Sequence, residues 1–315
     1  MLPHAGMFAQ ELFPVAEPAS TYPQKVPGIR LTKHYYLDQV SRSRAAYTLR
    51  YIYGVNKNLS IISSLTCSNH HLKKIPLNFQ SYIINHHQRG YRDNPFIIEG
   101  INLYAKCRVV SLDKKSKHFR IAVYSEFAQS FSAHDRAEPN LLSDNTGYGY
   151  GIILTKLINR FAASLTWGYI KPFEYIQNNP DNVYVKQIRF KSGDALLYNA
   201  SFGYRLYPLR YKSYKDLNIN LYFECIGKQY ESAQIYYDGK PYDQTILKEY
   251  DRYGYMSLQR GAYVDAKPSV QFIFKSTTRL DVGMAWPLYK RSFNHTYPLL
   301  YLSFQKLFFK TKPVN

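Results

Sequence analysis

The chain has 315 residues, a formal net charge of +19 at pH 7, and aromatic side chains at 17% of its positions. So much apolar and aromatic surface excludes a disordered chain. No run of about 18 apolar residues occurs, which excludes a transmembrane helix. A membrane-spanning β-barrel stays possible, because its strands are short and only half apolar.

The N-terminal residues 1–10 are similar to the end of a secretory signal, because small residues lie near Ala9. No charged region and no apolar core precede them, so we expect either a misplaced start codon or a trimmed signal, and a mature chain that begins near Gln10. Residues 11–26 are then expected to form a periplasmic N-terminal segment. We assign 27–309 to a barrel and 310–315 to a C-terminal tail.

Strand-like runs recur along the whole chain, and no segment has a convincing helical period. The alternation of apolar and polar residues predicts about twelve strands. They lie near 28–36, 44–55, 58–68, 97–109, 118–129, 147–157, 160–170, 195–207, 217–229, 263–275, 279–289 and 298–309.

Residues 101–127 show the alternation most clearly. Leu103 and Cys107 share one face of the first run, and Lys106 and Arg108 share the other. This is the pattern of a β-hairpin, in which successive side chains point to opposite faces. A soluble sheet buries its apolar face in a core, whereas a membrane barrel turns that face outward to lipid.

Short and long connections alternate down the chain. The tight connections lie near 55–58, 158–160 and 276–278, and the long polar ones are 69–96, 130–146, 171–194 and 230–261. Up-and-down barrels of the outer membrane have tight periplasmic turns and long outer loops. An even strand count then places both ends of the barrel chain on the periplasmic side. The tyrosine-rich connector 230–261 could fold into the lumen as a plug or bind a partner at the cell surface.

Two sheets packed face to face, in a soluble or secreted β-sandwich, are the alternative fold. Full closure removes the unpaired edges of so many long strands, and no helical segment is available to supply a second apolar layer. The sequence therefore predicts an all-β fold, a transmembrane antiparallel up-and-down β-barrel of about twelve strands.

The chain resembles outer-membrane β-barrel proteins of the Bacteroidota type, and more loosely the phenol-degradation meta-pathway barrels. The resemblance rests on "AQELFPVAEPAS" (9–20), on "SNHHLKKIP" (68–76) and on the tyrosine-rich alternating runs. It implies an outer-membrane barrel of a Gram-negative bacterium and a transporter role, and it leaves the transported solute open.

The polar faces of the predicted strands supply the candidate pore-lining residues. They are Arg30, Arg50, Lys106, Arg108, Arg120, Glu126, Arg205, Glu224, Lys275 and Asp281. Basic residues outnumber acidic ones in this set, which favours small anionic solutes through a focused positive potential. Alternatively, these charges pair with one another and plug a narrow barrel. Much of the positive charge lies in turns and loops, where it could contact anionic lipopolysaccharide.

Two histidine pairs lie in the long connector after the third strand. They are His70–His71 and His86–His87, with Cys67 just upstream. Imidazole and thiolate groups could bind copper or zinc. The spacing matches no defined metal motif, so a solvated loop is the competing interpretation.

The sequence shows no arrangement typical of catalysis, such as paired carboxylates or a phosphate-binding loop before a helix. We therefore expect no enzyme and no cofactor. We predict a passive outer-membrane channel or transporter for small, anionic solutes. The expected partners are outer-membrane lipid, lipopolysaccharide and other envelope proteins, and no nucleic acid. Two alternatives stay open: an accessory barrel with a plugged lumen in an envelope complex, and a metal-binding surface protein.

Overall fold

A computed structural model gives the fold of the chain. It describes residues 13–37, 44–69, 96–114, 117–133, 136–209, 213, 216–250, 252–293 and 298–309. The predicted signal remnant 1–10, the C-terminal tail 310–315 and the two histidine pairs lie outside the described residues.

Sixteen strands and two short α-helices make up the described structure. The strands are β1 (Pro27–Tyr36), β2 (Ala45–Gly54), β3 (Leu59–Ser68), β4 (Ile97–Lys114), β5 (Lys117–Ser130), β6 (Gly147–Ile158), β7 (Phe161–Pro172), β8 (Tyr175–Asn178), β9 (Gln187–Lys191), β10 (Ala195–Tyr207), β11 (Asn218–Tyr230), β12 (Gln234–Tyr237), β13 (Lys240–Pro241), β14 (Gly261–Phe274), β15 (Thr278–Arg291) and β16 (Leu299–Leu307). The helices are α1 (Leu247–Tyr250) and α2 (Arg252–Ser257), preceded by a 3₁₀ turn at Gln244–Ile246.

Twelve of the strands close into an antiparallel barrel. Their order around the wall is β1-β16-β15-β14-β11-β10-β7-β6-β5-β4-β3-β2. The first strand pairs with β2 on one side and with the last strand on the other, where Gly28 lies opposite Leu307. Closure leaves no unpaired edge in the wall. The predicted fold class and strand number are confirmed.

The two ends of the barrel differ. At one end, called here the tight-turn end, the strands are joined by 55–58, 159–160 and 275–277, and β1 begins and β16 ends there. Asn159, Lys275 and Ser276 have positive φ angles of 55°, 49° and 53°, the left-handed backbone that two-residue hairpin turns require. The long segments 131–146, 173–194 and 231–260 lie at the opposite end, called the connector end.

The polarity of the barrel is inverted relative to a soluble protein. On β4, the outward side chain of Leu103 is 52% exposed, whereas the inward Asn102 is 4% exposed and Lys106 is 0% exposed. The same alternation recurs along β1, β5, β6, β7, β15 and β16. An apolar outer face around a polar interior is the arrangement of a transmembrane barrel. Cys67, Cys107 and Cys225 lie on the outer face and form no disulfide.

The long connectors fold more than their polar composition suggests. Strands β8, β9, β12 and β13 form a separate four-stranded sheet, and α1 and α2 follow it. The side chains of Ile188, Phe190, Ile235, Leu247 and Leu258 are buried there, in one cluster with residues of the barrel end. The sequence analysis assigned no strands or helices to the long polar connectors 171–194 and 230–261, whereas the structure has four short strands and two short helices there. A few apolar residues, spread over two distant segments, were enough to make a small core.

Within the part of the chain that the structure describes, no helix has both the length and the apolar character needed to cross a membrane.

The inverted polarity predicts a position-dependent cost for charge on the outer face. Leu103→Arg, opposite the middle of β3 at Ser63, should lower the free energy of unfolding by about 2–4 kcal/mol, because the charge enters the middle of the bilayer. Leu112→Arg, on the same strand but 63% exposed near the hairpin tip, is the control, with an expected loss of about 0–1 kcal/mol. Urea unfolding in phosphatidylcholine vesicles measures both. Equal losses would contradict the placement of this face in lipid.

Candidate functional site

The N-terminal segment 13–26 lies inside the barrel. Phe13, Ala19 and Tyr22 are buried against inward-facing side chains of the wall. The sequence predicted a periplasmic segment for 11–26, and for the described residues 13–26 this prediction is corrected. The physical reason is that the interior is lined with charged groups that need partners, and the segment supplies them.

The segment is anchored first at the wall formed by β11 and β15. The Glu224 carboxylate accepts hydrogen bonds from the backbone N–H groups of Val15 at 3.0 Å and Ala16 at 2.8 Å. The Ser201 hydroxyl donates to the same carboxylate at 3.2 Å. These bonds satisfy a carboxylate that would otherwise be costly to bury.

Two arginines, Arg279 on β15 and Arg30 on β1, hold the carbonyl groups of the same stretch. Arg279 donates to the carbonyl oxygen of Phe13 at 3.2 Å, and Arg30 donates to that of Pro14. Both guanidinium groups also contact the Asp281 carboxylate, at 2.8 Å for Arg279 and 3.3 Å for Arg30. The wall therefore presents a preformed network of fixed charge to the segment.

The middle of the segment reaches the opposite side of the barrel. The Lys106 ammonium donates to the Glu17 carboxylate at 3.1 Å and to the Pro18 carbonyl at 2.6 Å. Arg50 lies 3.7 Å from the same Glu17 carboxylate. A little further along, Arg120 donates to the Ser20 hydroxyl at 2.8 Å.

The end of the segment runs along the wall to the beginning of β1. The N–H of Ala19 donates to the Thr155 hydroxyl at 2.8 Å, and that of Tyr22 donates to the Ser60 hydroxyl at 2.9 Å. A side chain at Gly54 would overlap the carbonyl of Pro23, so the close approach of the segment to β2 requires glycine there. The segment thus crosses the lumen from β11 and β15 to β6, β3 and β2.

A polar cavity of about 220 Å³ lies at the connector end. Its wall consists of inward residues of β1, β2, β3, β4, β14, β15 and β16 together with the connector 136–144. Its ionisable lining residues are His34, Arg44, Glu99, Arg136, Glu138, Asp144, Asp265 and Lys267. Among the described residues, none forms a hydrogen bond or ion pair with the Lys267 ammonium.

The cavity and the segment share parts of the wall. Lys267 lies directly across from Glu224, the carboxylate that holds Val15 and Ala16. On β2, Thr48 lines the cavity, and Arg50, the next inward residue, contacts Glu17. On β2 the segment therefore lies one inward residue deeper than the cavity, whereas at β11 and β14 the two lie at the same level, because Glu224 and Lys267 are cross-strand partners.

Most of the predicted pore-lining residues lie on the inner face. Arg30, Arg50, Lys106, Arg120, Glu126, Glu224 and Asp281 point into the barrel. Arg108 and Arg205 are half-buried at the tight-turn end, where Arg108 donates to the carbonyl of Lys57 at 2.7 Å. The prediction that Lys275 lines the pore is corrected, because this residue lies in the turn between β14 and β15 and is exposed. The predicted strand 263–275 ran one residue past the observed end.

The sequence analysis did not identify several charged side chains of the interior. Glu17 was missed because it precedes the first strand, and nothing in the sequence indicates that this stretch folds back into the lumen. Lys267 was missed because Pro268 follows it and obscures the alternation of β14. The pair Asp265 and Lys267, two residues apart on one face, was the signal available.

The histidine-rich connector cannot be compared with the structure, because His70, His71, His86 and His87 lie outside the described residues. Among the residues described, no group of three or more His, Cys, Asp or Glu side chains is arranged to hold a metal ion.

Many charges of the interior are paired. Arg30 and Arg279 share Asp281, Lys106 and Arg50 share Glu17, and Lys228 pairs with Glu138 at 3.0 Å. The sequence prediction left out the carboxylates Glu17 and Glu138 and also the basic residues Arg279 and Lys228. In these groups three carboxylates serve five basic side chains, so the positive charge of the interior is partly paired and not cancelled.

Solved structures share this architecture. The chain aligns with the COG4313 outer membrane channel from Pseudomonas putida F1 over 95% of its length and 100% of that chain, at 12% identity and a TM-score of 0.53. The CymD monoaromatic hydrocarbon channel aligns at 9% identity and a TM-score of 0.38, over 91% of this chain and 90% of that one. Outer membrane phospholipase A from Escherichia coli aligns at 10% identity and a TM-score of 0.36, over 92% of each chain.

At 12% identity and a TM-score of 0.53, the likeness to the Pseudomonas putida channel shows a shared fold, the closed β-barrel. No family model matches the chain, and no curated protein matches it.

The anchoring at Glu224 can be tested by hydrogen exchange. Glu224→Ala removes the acceptor of two backbone N–H groups, and each hydrogen bond to a charged group contributes about 1.5–3 kcal/mol. Exchange of the Val15 and Ala16 amides should therefore accelerate at least about tenfold. Glu126→Ala is the matched control, an interior carboxylate bonded to Asn102 and not to the segment. Equal protection of the two amides in Glu224→Ala and wild type would show that this carboxylate does not hold the segment.

Proposed function

We propose that the chain is an outer-membrane channel for small anionic solutes, and that segment 13–26 closes it in the conformation of this structure. The observation that carries the proposal is a polar lumen with a cavity at one end, closed by a segment that is not part of the wall. The shared fold with a Pseudomonas putida outer membrane channel supports the proposal.

The way in which the segment is bound supports a reversible closure. Its described polar contacts with the wall are mostly hydrogen bonds and ion pairs of wall side chains. Backbone hydrogen bonds to the wall lie at its end, where the Lys25 N–H donates to the Gly54 carbonyl at 2.6 Å and the Gly54 N–H donates to the Val26 carbonyl at 3.5 Å. Displacing 13–22 would therefore break no strand pairing of the barrel. The polar wall would solvate the groups released, since water can replace these hydrogen bonds.

Lys267 is the feature of the cavity that supports anionic solutes; the lining as a whole carries four carboxylates, Glu99, Glu138, Asp144 and Asp265, against the three basic residues Arg44, Arg136 and Lys267. Lys267 projects into the cavity from β14 without a salt-bridge partner among the described residues, although Asp265 and Glu224 lie near it. An ammonium group in a confined, partly dehydrated cavity attracts carboxylates and phosphates more strongly than one in open water. The prediction of anionic solutes therefore rests on Lys267 rather than on the whole basic stripe.

A second candidate function is favoured by the same segment. A barrel whose lumen is permanently filled would act as a structural or accessory component of an envelope complex. The buried network around Asp281 and Glu224 favours this candidate, because fixed charge pairs rigidify the interior.

Single-channel conductance in planar bilayers separates the two candidates. The channel proposal predicts rare or small steps for the wild type and frequent, larger steps for Glu224→Ala, whose segment is loosened. Silence from both, when both migrate as folded, heat-modifiable barrels, would favour the accessory role. Equal conductance of wild type and variant would show that the segment does not close the lumen.

The anion preference can be tested at Lys267. Lys267→Glu changes the charge beside the cavity by two units, so the reversal potential in a salt gradient should shift towards cations. Lys240→Glu, with the same charge change on the exposed connector sheet, is the control and should leave the reversal potential close to wild type. An unchanged reversal potential in Lys267→Glu would mean that solutes do not pass this residue.

A further inference from the structure

The tight-turn end of the barrel carries a dense ring of positive charge. Its described basic residues are Lys25, Lys57, Arg108, Lys114, Lys117, Lys156, Arg160, Arg205, Lys275 and Lys306. Only two described acidic residues lie at this end, Asp113 and Asp216. We propose that this basic ring binds the phosphate groups of anionic phospholipids in the membrane leaflet at the tight-turn end.

The two carboxylates at this end are already engaged. Asp113 accepts hydrogen bonds from Arg120 at 3.0 Å and contacts His118 at 3.1 Å. Asp216 accepts the backbone N–H of Ser213 at 2.9 Å. Asp113 is therefore paired with Arg120, and Asp216 can offset one charge of the ten basic residues in the ring.

Arg160 and Lys306 of the basic ring donate hydrogen bonds to neutral groups. These bonds do not neutralise their positive charge, which can still attract an anion. Arg160 donates to the carbonyl of Arg205 at 2.9 Å and lies 4.7 Å from the centre of the Tyr204 ring. Lys306 donates to the hydroxyl groups of Thr277 and Thr278 at 3.1 and 2.8 Å. These contacts hold the cations at the rim and leave their positive charge uncompensated.

The basic ring lies at the level along the barrel axis that is expected for lipid headgroups. Exposed aromatic side chains of the outer face lie next to the basic residues, among them Tyr51, Phe161 and Tyr204. Such rings lie at the boundary between hydrocarbon and headgroups. Lys156 is itself on the outer face, two residues before the end of β6, a position from which a long side chain reaches the phosphate level.

The connector end shows a smaller excess. The described residues of its connectors, 37, 44, 131–133, 136–146, 173–194, 231–250, 252–260, 292–293 and 298, carry nine basic and nine acidic residues, and the strand ends beside them add Lys33, Lys171, Lys228, Lys290 and Arg291 against Glu99. The basic residues of the connectors are Arg44, Arg136, Lys186, Arg189, Lys191, Lys240, Lys248, Arg252 and Arg260. The acidic ones are Glu138, Asp144, Glu174, Asp181, Asp194, Glu231, Asp238, Asp243 and Glu249.

This asymmetry distinguishes the two leaflets. Lysines and arginines attract an anionic membrane surface within a Debye length, and here their excess is larger at the tight-turn end. Contact with anionic lipid is therefore assigned to the leaflet at the tight turns. The sequence-based expectation placed lipopolysaccharide contact at the turns and loops in general, and it stays a prediction.

Lipid selectivity of the reconstituted barrel tests this inference. The full chain is placed in phosphatidylcholine vesicles that contain a trace of spin-labelled phosphatidylglycerol or spin-labelled phosphatidylcholine. Electron paramagnetic resonance then gives the association of each lipid with the barrel. The wild type should prefer phosphatidylglycerol, and the preference should weaken as salt rises, because the contacts are electrostatic.

Two matched fourfold variants locate the effect. One combines Lys57→Gln, Lys114→Gln, Lys117→Gln and Lys275→Gln, all exposed positions at the tight-turn end. The other combines Lys186→Gln, Lys240→Gln, Lys248→Gln and Arg252→Gln, all exposed positions in the connectors. None of the eight belongs to the described interior, so both variants should fold, which heat-modifiable migration checks.

The first variant should lose at least about half of the phosphatidylglycerol preference, and the second should keep it. Equal association of the two lipids with the wild type would overturn the inference, as would equal losses in both variants. This measurement does not depend on conductance. The inference that the basic ring binds anionic lipid can therefore be contradicted while the channel proposal holds, and the channel proposal can be contradicted while this inference holds.

Discussion

The constraint on which this structure depends is the burial of charged side chains inside a closed wall. With twelve strands closed and segment 13–26 inside the lumen, many polar residues of the inner face are buried, and each buried charge needs a partner. Asp281 meets this need for Arg30 and Arg279 within the wall. For Lys106, Arg50 and Glu224 the partners come from outside the wall, as Glu17 and the backbone of 15–18. The lumen and its N-terminal segment are therefore one electrostatic unit.

The same closure gives the two ends of the barrel different roles. At the connector end, two distant segments combine into a small sheet with its own apolar cluster, beside a cavity that Lys267 enters. At the tight-turn end, short hairpins leave no room for such a core, and lysines and arginines dominate the rim. Solute would meet the protein at the first end, and lipid headgroups would meet it at the second.

Local alternation was enough to predict the wall. The strand around Leu103 and Lys106 has the same faces in the structure, because a period of two residues is a property of the chain itself. The position of segment 13–26 could not be predicted in this way: its contacts with Glu224 and Thr155 span more than a hundred residues of sequence and follow no local pattern. Lys275 was assigned to the inner face because the alternation of apolar and polar residues along β14 continues into the following turn. In the turn, the backbone conformation and not this alternation determines where a side chain points.

A disulfide between the segment and the wall tests the central claim most directly. Ala19 and Thr155 are suitable, since the Ala19 N–H lies 2.8 Å from the Thr155 hydroxyl oxygen; both become cysteine, with Cys67, Cys107 and Cys225 replaced by Ala. The account predicts that the disulfide forms in the folded barrel, that the oxidised protein stays closed in a planar bilayer, and that reduction restores its openings. Failure of the two thiols to pair, or equal conductance before and after reduction, would contradict a segment that closes the lumen.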